Sequence, residues 1–151
     1  MTSSRLPNHI SQQFDNELED IRSKVLATGG LIEQHLAKVL AYFSKGEVEG
    51  VEYVAVSDYL VNALEVEIDN DCTDILARRQ PAAGDLRLVL AVSKTITDLE
   101  RMGDEAEKIA RLILHEDDIL VTGSYYHGAA ALGKHVASMV RSAWDSFARM
   151  G

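Results

Sequence analysis

Apolar residues recur at alternating steps of four and three over residues 11–45, which predicts a long amphipathic helix. The stripe consists of Phe14, Leu18, Ile21, Val25, Ile32 and Val39, with Thr28 and His35 in its gaps. Gly29 and Gly30 interrupt the segment, and we interpret them as a notch for a close neighbouring helix, because the pattern resumes in phase at Ile32. His35 lies on or beside the stripe, and we interpret it as a packed core histidine rather than as a ligand.

Two further segments predict a second and a third helix. The second ends near Arg79, and its core positions repeat every seven residues at Val54, Val61, Ile68 and Ile75. Pro81 begins the turn into the third helix, which ends near His115 and has Val92, Ile96, Leu99 and Ala106 among its core positions. The predicted fold is therefore all-α, with an antiparallel, up-down three-helix bundle at residues 11–115.

Residues 125–151 predict a fourth helix that repeats the apolar pattern of the first. Ile32 aligns with Val136, and Phe43 aligns with Phe147. We expect residues 1–10 to be a flexible arm, residues 116–124 a connector, and residues 125–151 the first helix of a second, incomplete repeat. The apolar face of that helix would lack its own bundle, so we expect self-association, most simply as a homodimer.

Charge narrows the classes of function. The chain has a formal net charge of −9, and from Glu47 to Asp74 it has nine acidic residues and no Lys or Arg. The net charge argues against a nucleic-acid-binding surface, which needs basic patches. The single Cys72 forms no internal disulfide, and we interpret it as a small core residue. Because no signal pattern or bilayer-spanning run is present, we expect a cytoplasmic protein without direct membrane insertion.

Two pairs of carboxylates at helical spacing are the candidate metal ligands. Glu65 and Asp69 lie four residues apart, as do Glu100 and Asp104, so each pair shares one helix face. If the two helices pack side by side, the four carboxylates repel one another unless a cation, protons or basic side chains neutralise them. Oxygen ligands suit magnesium, calcium, manganese and iron, and zinc less well.

Several alternatives stay open at this site. Asp58 and Asn62 extend the line of Glu65 and Asp69, and are possible outer ligands. Instead of a metal, the basic side chains of Arg101, Lys108 and Arg111 could neutralise the acid, or water could solvate it. No Glu is followed by His three residues later, which argues against a di-iron enzyme. No Gly-rich phosphate loop or catalytic triad is present either, so we assign no catalytic or cofactor-binding residue.

The motifs taken together resemble the PhoU family of phosphate-signalling proteins over nearly the whole chain. The segments with this resemblance are 9–14, Gly29-Gly30, Glu65 to Asp69 with Cys72, Arg79-Gln80-Pro81, Asp85-Leu86-Arg87, Ser93 to Ile96, Leu99 to Asp104 and Phe147 to Met150. The resemblance implies two tandem three-helix bundles and no enzymatic activity. Some members of the family bind iron, zinc or other divalent ions through Glu/Asp-x-x-x-Asp pairs, which here correspond to Glu65/Asp69 and Glu100/Asp104.

The resemblance also implies a function. PhoU-like proteins are negative regulators of the phosphate-starvation response, between the ATPase subunit of the Pst phosphate transporter and the sensor kinase PhoR. We therefore expect a regulatory adaptor, with the acidic second helix as a candidate partner surface. The alternative is a carboxylate-cluster protein that binds iron, zinc or magnesium and assembles with the metal, or a di-iron redox enzyme.

Overall fold

The computed structural model describes residues 5–115, 127–135, 138 and 141–142, and the regular secondary structure in this part of the chain is helical. Helix α1 spans Arg5–Lys45, α2 spans Val48–Arg79 and α3 spans Ala83–His115. Lys24 contacts Asp71 and Lys38 contacts Tyr53, so α1 and α2 run in opposite directions. Each helix packs against both of the others. The predicted all-α, up-down bundle is therefore confirmed.

The start of α1 differs from the prediction. The helix begins at Arg5, so residues 5–10 are helical rather than a flexible arm. Pro7 lies in the first turn, where a backbone N–H has no partner within the helix and its absence costs little. The apolar pattern of the sequence becomes regular only later, which is why it places the start of the helix too late. Residues 1–4 lie outside the described part of the chain.

Two residues with left-handed backbone conformation end α1 and α2. Gly46, at φ 70°, follows α1, and its N–H donates to the carbonyl of Tyr42 at 2.9 Å. Gln80, at φ 44°, follows α2 and precedes Pro81. The sequence predicts both boundaries, because Gly46 follows Lys45 and Pro81 lies two residues after Arg79.

The core lies between the three helices. Its fully buried members come from all of them and include Ile21, Ile32, Leu36, Val54, Val61, Ile68, Ile75 and Leu99. Cys72 is 3% exposed, which confirms a core position. His35 is fully buried, and its Nε2 lies 3.2 Å from the hydroxyl of Ser57. That hydroxyl donates to the carbonyl of Tyr53, so the imidazole is the donor to Ser57, and His35 is confirmed as a core residue.

Glycines allow close helix contact at positions other than the predicted notch. α1 runs without a break through Gly29 and Gly30, and a Cβ on Gly30 would meet nothing within 4 Å. The notch interpretation is therefore wrong for Gly30. On α3, a Cβ on Gly103 would lie 3.4 Å from Val61 and 3.8 Å from the Oδ1 atom of Asp58. Gly103 thus lets α3 lie close to α2.

Part of the predicted fourth helix is present. Residues 127–135 are helical, Ala129 is fully buried, and Leu132 packs against the bundle core. The predicted connector and most of residues 136–151 lie outside the described part of the chain, so the second repeat stays a prediction. None of the described helices combines the length and apolarity that crossing a bilayer requires.

Salt bridges join the acidic α2 to α1. Lys24 lies 2.6 Å from a carboxylate oxygen of Asp71 and 3.0 Å from one of Glu67. These carboxylates raise the pKa of Lys24, so its amino group stays protonated at neutral pH. Two turns further along α2, Arg79 lies 2.8 Å from Glu17 of α1. Lys24 thus neutralises the carboxylates of α2 that face α1, and Arg79 neutralises one of α1.

Replacing Gly103 with a larger residue should destabilise the bundle, and more so the larger the new side chain is. We expect Gly103→Leu to lower the free energy of unfolding by about 1–3 kcal/mol, because the side chain must displace Val61 and push α3 away from α2. Gly103→Ala is the control, since its Cβ makes only ordinary contacts and should change stability by no more than about 1 kcal/mol. Urea unfolding followed by circular dichroism measures both. Equal stability of the Leu variant and the wild type would contradict the close packing.

Candidate metal centre

Two polar lines face each other across the contact of α2 with α3. On α2 the line consists of Asp58, Asn62, Glu65 and Asp69, and on α3 of Ser93, Thr97, Glu100 and Asp104. Within each line the residues are three or four positions apart, so they share one helix face. Because the helices are antiparallel, Asp58 lies opposite Asp104, and Asp69 lies toward Ser93.

A cavity of about 500 Å³ separates the two polar lines. It is lined by Asn62, Glu65, Val66, Asp69, Ser93, Ile96, Thr97, Glu100 and Asp104. All four carboxylates predicted as metal ligands therefore lie along one cavity. Asn62 also lines it, in agreement with its predicted outer position.

The tightest group of carboxylates lies at the Asp104 end. Oxygens of Asp58, Asp104 and Glu107 all lie within 4.8 Å of one another. Asp58 is predicted only as an outer ligand, and Glu107 is not predicted at all. Its signal is nonetheless in the sequence, because Glu100, Asp104 and Glu107 follow one another at steps of four and three.

Burial and neighbouring carboxyl groups favour the protonated form of Asp58. Its side chain is 7% exposed, and Asn62 donates to Oδ2 at 3.2 Å. The Oδ1 atom of Asp58 is buried and has no hydrogen-bond donor as long as the nearby carboxyl groups are ionised. Burial and the nearby Glu107, to which a protonated Asp58 can donate, together raise the pKa of Asp58 to about 7. The same hydrogen bond lowers the pKa of Glu107, so the shared proton resides on Asp58.

Glu65 is the most isolated acid in the cavity. It is 6% exposed, and its Oε1 atom is buried without a hydrogen-bond partner. Burial raises its pKa to about 8, and the carboxylates of Glu100 and Asp104 add to the rise. Burial also raises the pKa of Asp104, which is closer to solvent. Glu65 is therefore stable in the folded protein either when it is protonated or when a cation lies beside its carboxylate.

Basic side chains neutralise only one edge of the group. The guanidinium of Arg111 lies 2.7 Å from Glu107 and donates to the carbonyl of Ala55 at 3.1 Å. Arg101 and Lys108 are exposed on α3 and form no ion pair with these carboxylates in the described part of the chain. The alternative that arginine and lysine neutralise the whole cluster therefore holds for Glu107 alone.

The donor atoms fit a hard cation. Two buried carboxylate oxygens, on Asp58 and Glu65, lack donors, and oxygens of this kind are the ligands that a hard cation prefers. No described His or Cys lines the cavity, so its donors are oxygens, which suit magnesium, calcium, manganese or iron better than zinc. Metal binding itself stays a prediction.

The raised pKa of Glu65 predicts an unusual dependence of stability on pH. Between the ordinary pKa of 4.5 and the folded value of about 8, the folded protein holds a proton that the unfolded chain releases. Stability in a chelating buffer should therefore fall as pH rises through this window, and Asp58 should contribute to the fall up to about pH 7. Thermal unfolding at several pH values measures the effect.

A matched pair of variants isolates this contribution. Glu65→Gln should flatten the pH dependence, because an amide imitates the protonated acid at every pH. Glu52→Gln removes an exposed carboxylate from the same helix and should leave the slope unchanged. Equal slopes for the Glu65→Gln variant and the wild type would contradict a protonated Glu65.

Comparison with known proteins places this bundle in a family. The family model described as PhoU domain matches residues 25–113, which is more than half of the chain. A PhoU homologue of Pseudomonas putida is 44% identical over 144 residues, covering 95% of this chain and 56% of its own length. PhoU of Escherichia coli is 41% identical over 155 residues, covering 99% of this chain and 62% of its own.

Solved structures agree with the sequence comparison. The crystal structure of PhoU from Pseudomonas aeruginosa is similar with a TM-score of 0.73 and 43% identity, covering 90% of this chain and 65% of that one. PhoU from Streptococcus pneumoniae gives a TM-score of 0.72 at 26% identity, covering 85% and 62%. The chain thus spans about three fifths of the length of these relatives. The fold, the matched domain and the level of identity together establish that this chain belongs to the PhoU family.

Proposed function

We propose that this chain belongs to a regulatory accessory protein of phosphate transport that acts by binding rather than by catalysis. The observation that carries the proposal is the 44% identity over 95% of the chain to a relative named a phosphate-specific transport system accessory protein homologue. The Escherichia coli relative bears the same accessory name, and neither name describes an enzyme. Such a role places the protein in the cytoplasm, beside the transporter.

The regulatory action we propose is negative. In phosphate-rich cells the protein would hold down the phosphate-starvation response, by contacts with the ATPase subunit of the Pst transporter and with the sensor kinase PhoR. Long helices with charged outer surfaces suit this role, because they offer extended faces for two partners. We include a homodimer in the proposal, since the apolar stripe predicted along residues 125–151 offers a surface for a second copy.

We further propose that the cavity between α2 and α3 holds a hard cation. Asp58, Asp104 and Glu107 would hold it at one end, and Glu65, Asp69 and Glu100 line the cavity beside them. The cation would supply positive charge, so that the carboxylates of both helices could ionise together. In this way metal binding would strengthen the contact of α2 with α3 and link the shape of the bundle to metal supply.

A redox enzyme is not part of the proposal. Di-iron sites in helical bundles combine glutamates with Glu-x-x-His motifs. The sequence has no such motif, and no described His lines the cavity.

Reporter activity in cells tests the regulatory role. In cells that lack the native gene, we expect the full-length gene to silence alkaline phosphatase in phosphate-rich medium. The gene with Glu65, Asp69, Glu100 and Asp104 changed to Ala should silence it less if the cation takes part in signalling. Residues 1–151 expressed alone test whether this chain suffices. Failure of the full-length gene to silence the enzyme would overturn the regulatory proposal.

Thermal stability tests the cation directly. Adding Mn²⁺ to chelator-treated protein should raise the melting temperature, because a ligand that binds only the folded state stabilises it. The Asp58→Asn/Asp104→Asn variant should lose the increase, whereas Glu33→Gln, an exposed change on α1, should keep it. An equal increase in all three proteins would indicate non-specific binding and contradict the site.

A further inference from the structure

The outer face of α2 is apolar where a solvent-exposed face is expected to be polar. Val56, Tyr59 and Val66 are 73%, 66% and 60% exposed. With Ala63 they follow one another at steps of three and four, so they form one stripe along the helix, here called the outer stripe. The stripe covers about three turns, or roughly 15 Å.

The outer stripe does not belong to the bundle core. The core side of α2 is formed by Val54, Val61 and Ile68, which are buried on the opposite side of the helix. α2 is the least amphipathic of the three helices for this reason, since it is apolar on two faces. The described residues 127–135 pack on the bundle and leave the stripe exposed.

The surroundings of the stripe are acidic. Glu52 precedes Val56 by four residues and Glu49 precedes Glu52 by three, so both continue the line of the stripe. Neither takes part in the ion pairs of the described residues, whereas Glu67 and Asp71, toward α1, are paired with Lys24. Glu49 and Glu52 are thus available for ion pairs with a partner protein.

Charge decides which partner fits. A second copy docked through the same face would set acidic helix against acidic helix, and an anionic membrane would be repelled. A partner helix with an apolar stripe flanked by Lys and Arg would cover Val56, Tyr59 and Val66 and pair with Glu49 and Glu52. Apolar anchors at helical spacing are the usual contacts of such helix–helix docking.

We propose that the outer stripe, with Glu49 and Glu52, docks a basic amphipathic helix of a partner protein. The use of this docking in phosphate regulation rests on the function proposed above, but the surface itself does not. Val66 also lines the carboxylate cavity, so a docked helix would lie directly beside it.

A synthetic peptide tests the surface without knowledge of the partner. The probe is a labelled helical peptide with one leucine stripe flanked by lysines, and its counterpart has glutamates in place of the lysines. Fluorescence anisotropy measures the binding of each to the full chain, in chelator, at low and at physiological ionic strength. We expect the basic peptide to bind more weakly as salt increases, and the acidic peptide not to bind.

Two matched variants distinguish binding to the outer stripe from non-specific attraction of a basic peptide to an acidic protein. Val56→Ser/Tyr59→Ser/Val66→Ser should weaken binding of the basic peptide at least about tenfold, since the apolar contact is lost and every charge is kept. Leu86→Ser/Leu90→Ser removes exposed apolar surface from α3 and should bind like the wild type. All five positions are partly or largely exposed, and circular dichroism checks that both variants fold. Equal binding by both variants, or equal binding of both peptides, would overturn the proposal.

The same variants in the alkaline phosphatase assay test the use of the surface. The stripe variant should fail to silence the enzyme, while the α3 control should silence it like the wild type. If the stripe variant also silences it, the outer stripe has no role in regulation and that part of the proposal falls. If the wild-type gene does not silence it, the proposed function fails, and the peptide experiment alone decides whether the docking surface exists.

Discussion

The close contact of α2 with α3 sets acidic residues against acidic residues, and the rest of the bundle accommodates this. Gly103 permits the approach, because a larger residue would collide with Val61 and crowd Asp58. Apolar packing on the core side holds the helices together, and the polar lines face each other as a consequence. Charge repulsion across the contact is then reduced locally, by raised pKa values that favour the protonated forms of Asp58 and Glu65, and by Arg111 beside Glu107.

This arrangement makes the two interfaces of α2 electrostatically different. Toward α1, lysine and arginine neutralise carboxylates in ion pairs that are partly open to water, and such pairs add little to stability. Toward α3, two buried carboxylate oxygens, on Asp58 and Glu65, have no donor. The first interface is complete within the chain, whereas the second depends on protonation. Changes of pH therefore act mainly on the α2–α3 side, and the proposed cation would act there as well.

The regular part of the fold could be predicted from the sequence, because apolar periodicity and turn residues determine it. The core positions at Val61, Ile68 and Leu99 follow from spacing alone. The start of α1 could not be predicted, because its first residues lack an apolar pattern. The role of Gly30 could not be predicted either, because it depends on where a neighbouring helix approaches. The four predicted carboxylates do line one cavity, but the tightest group is formed by Asp58, Asp104 and Glu107. Helical spacing puts Glu107 on the same face as Asp104, but it does not show which residues of α2 come to lie opposite them.

Cys72 has a practical consequence for work on this protein. Its thiol is buried in the core, and burial raises its pKa to about 11, so at neutral pH it is neither accessible nor nucleophilic. Reagents that modify thiolates should therefore bypass it in the folded state. Spectroscopic labels can be attached to single cysteines introduced elsewhere while the native residue stays in place. In denaturant the same thiol becomes reactive, and its modification reports directly on global opening of the bundle.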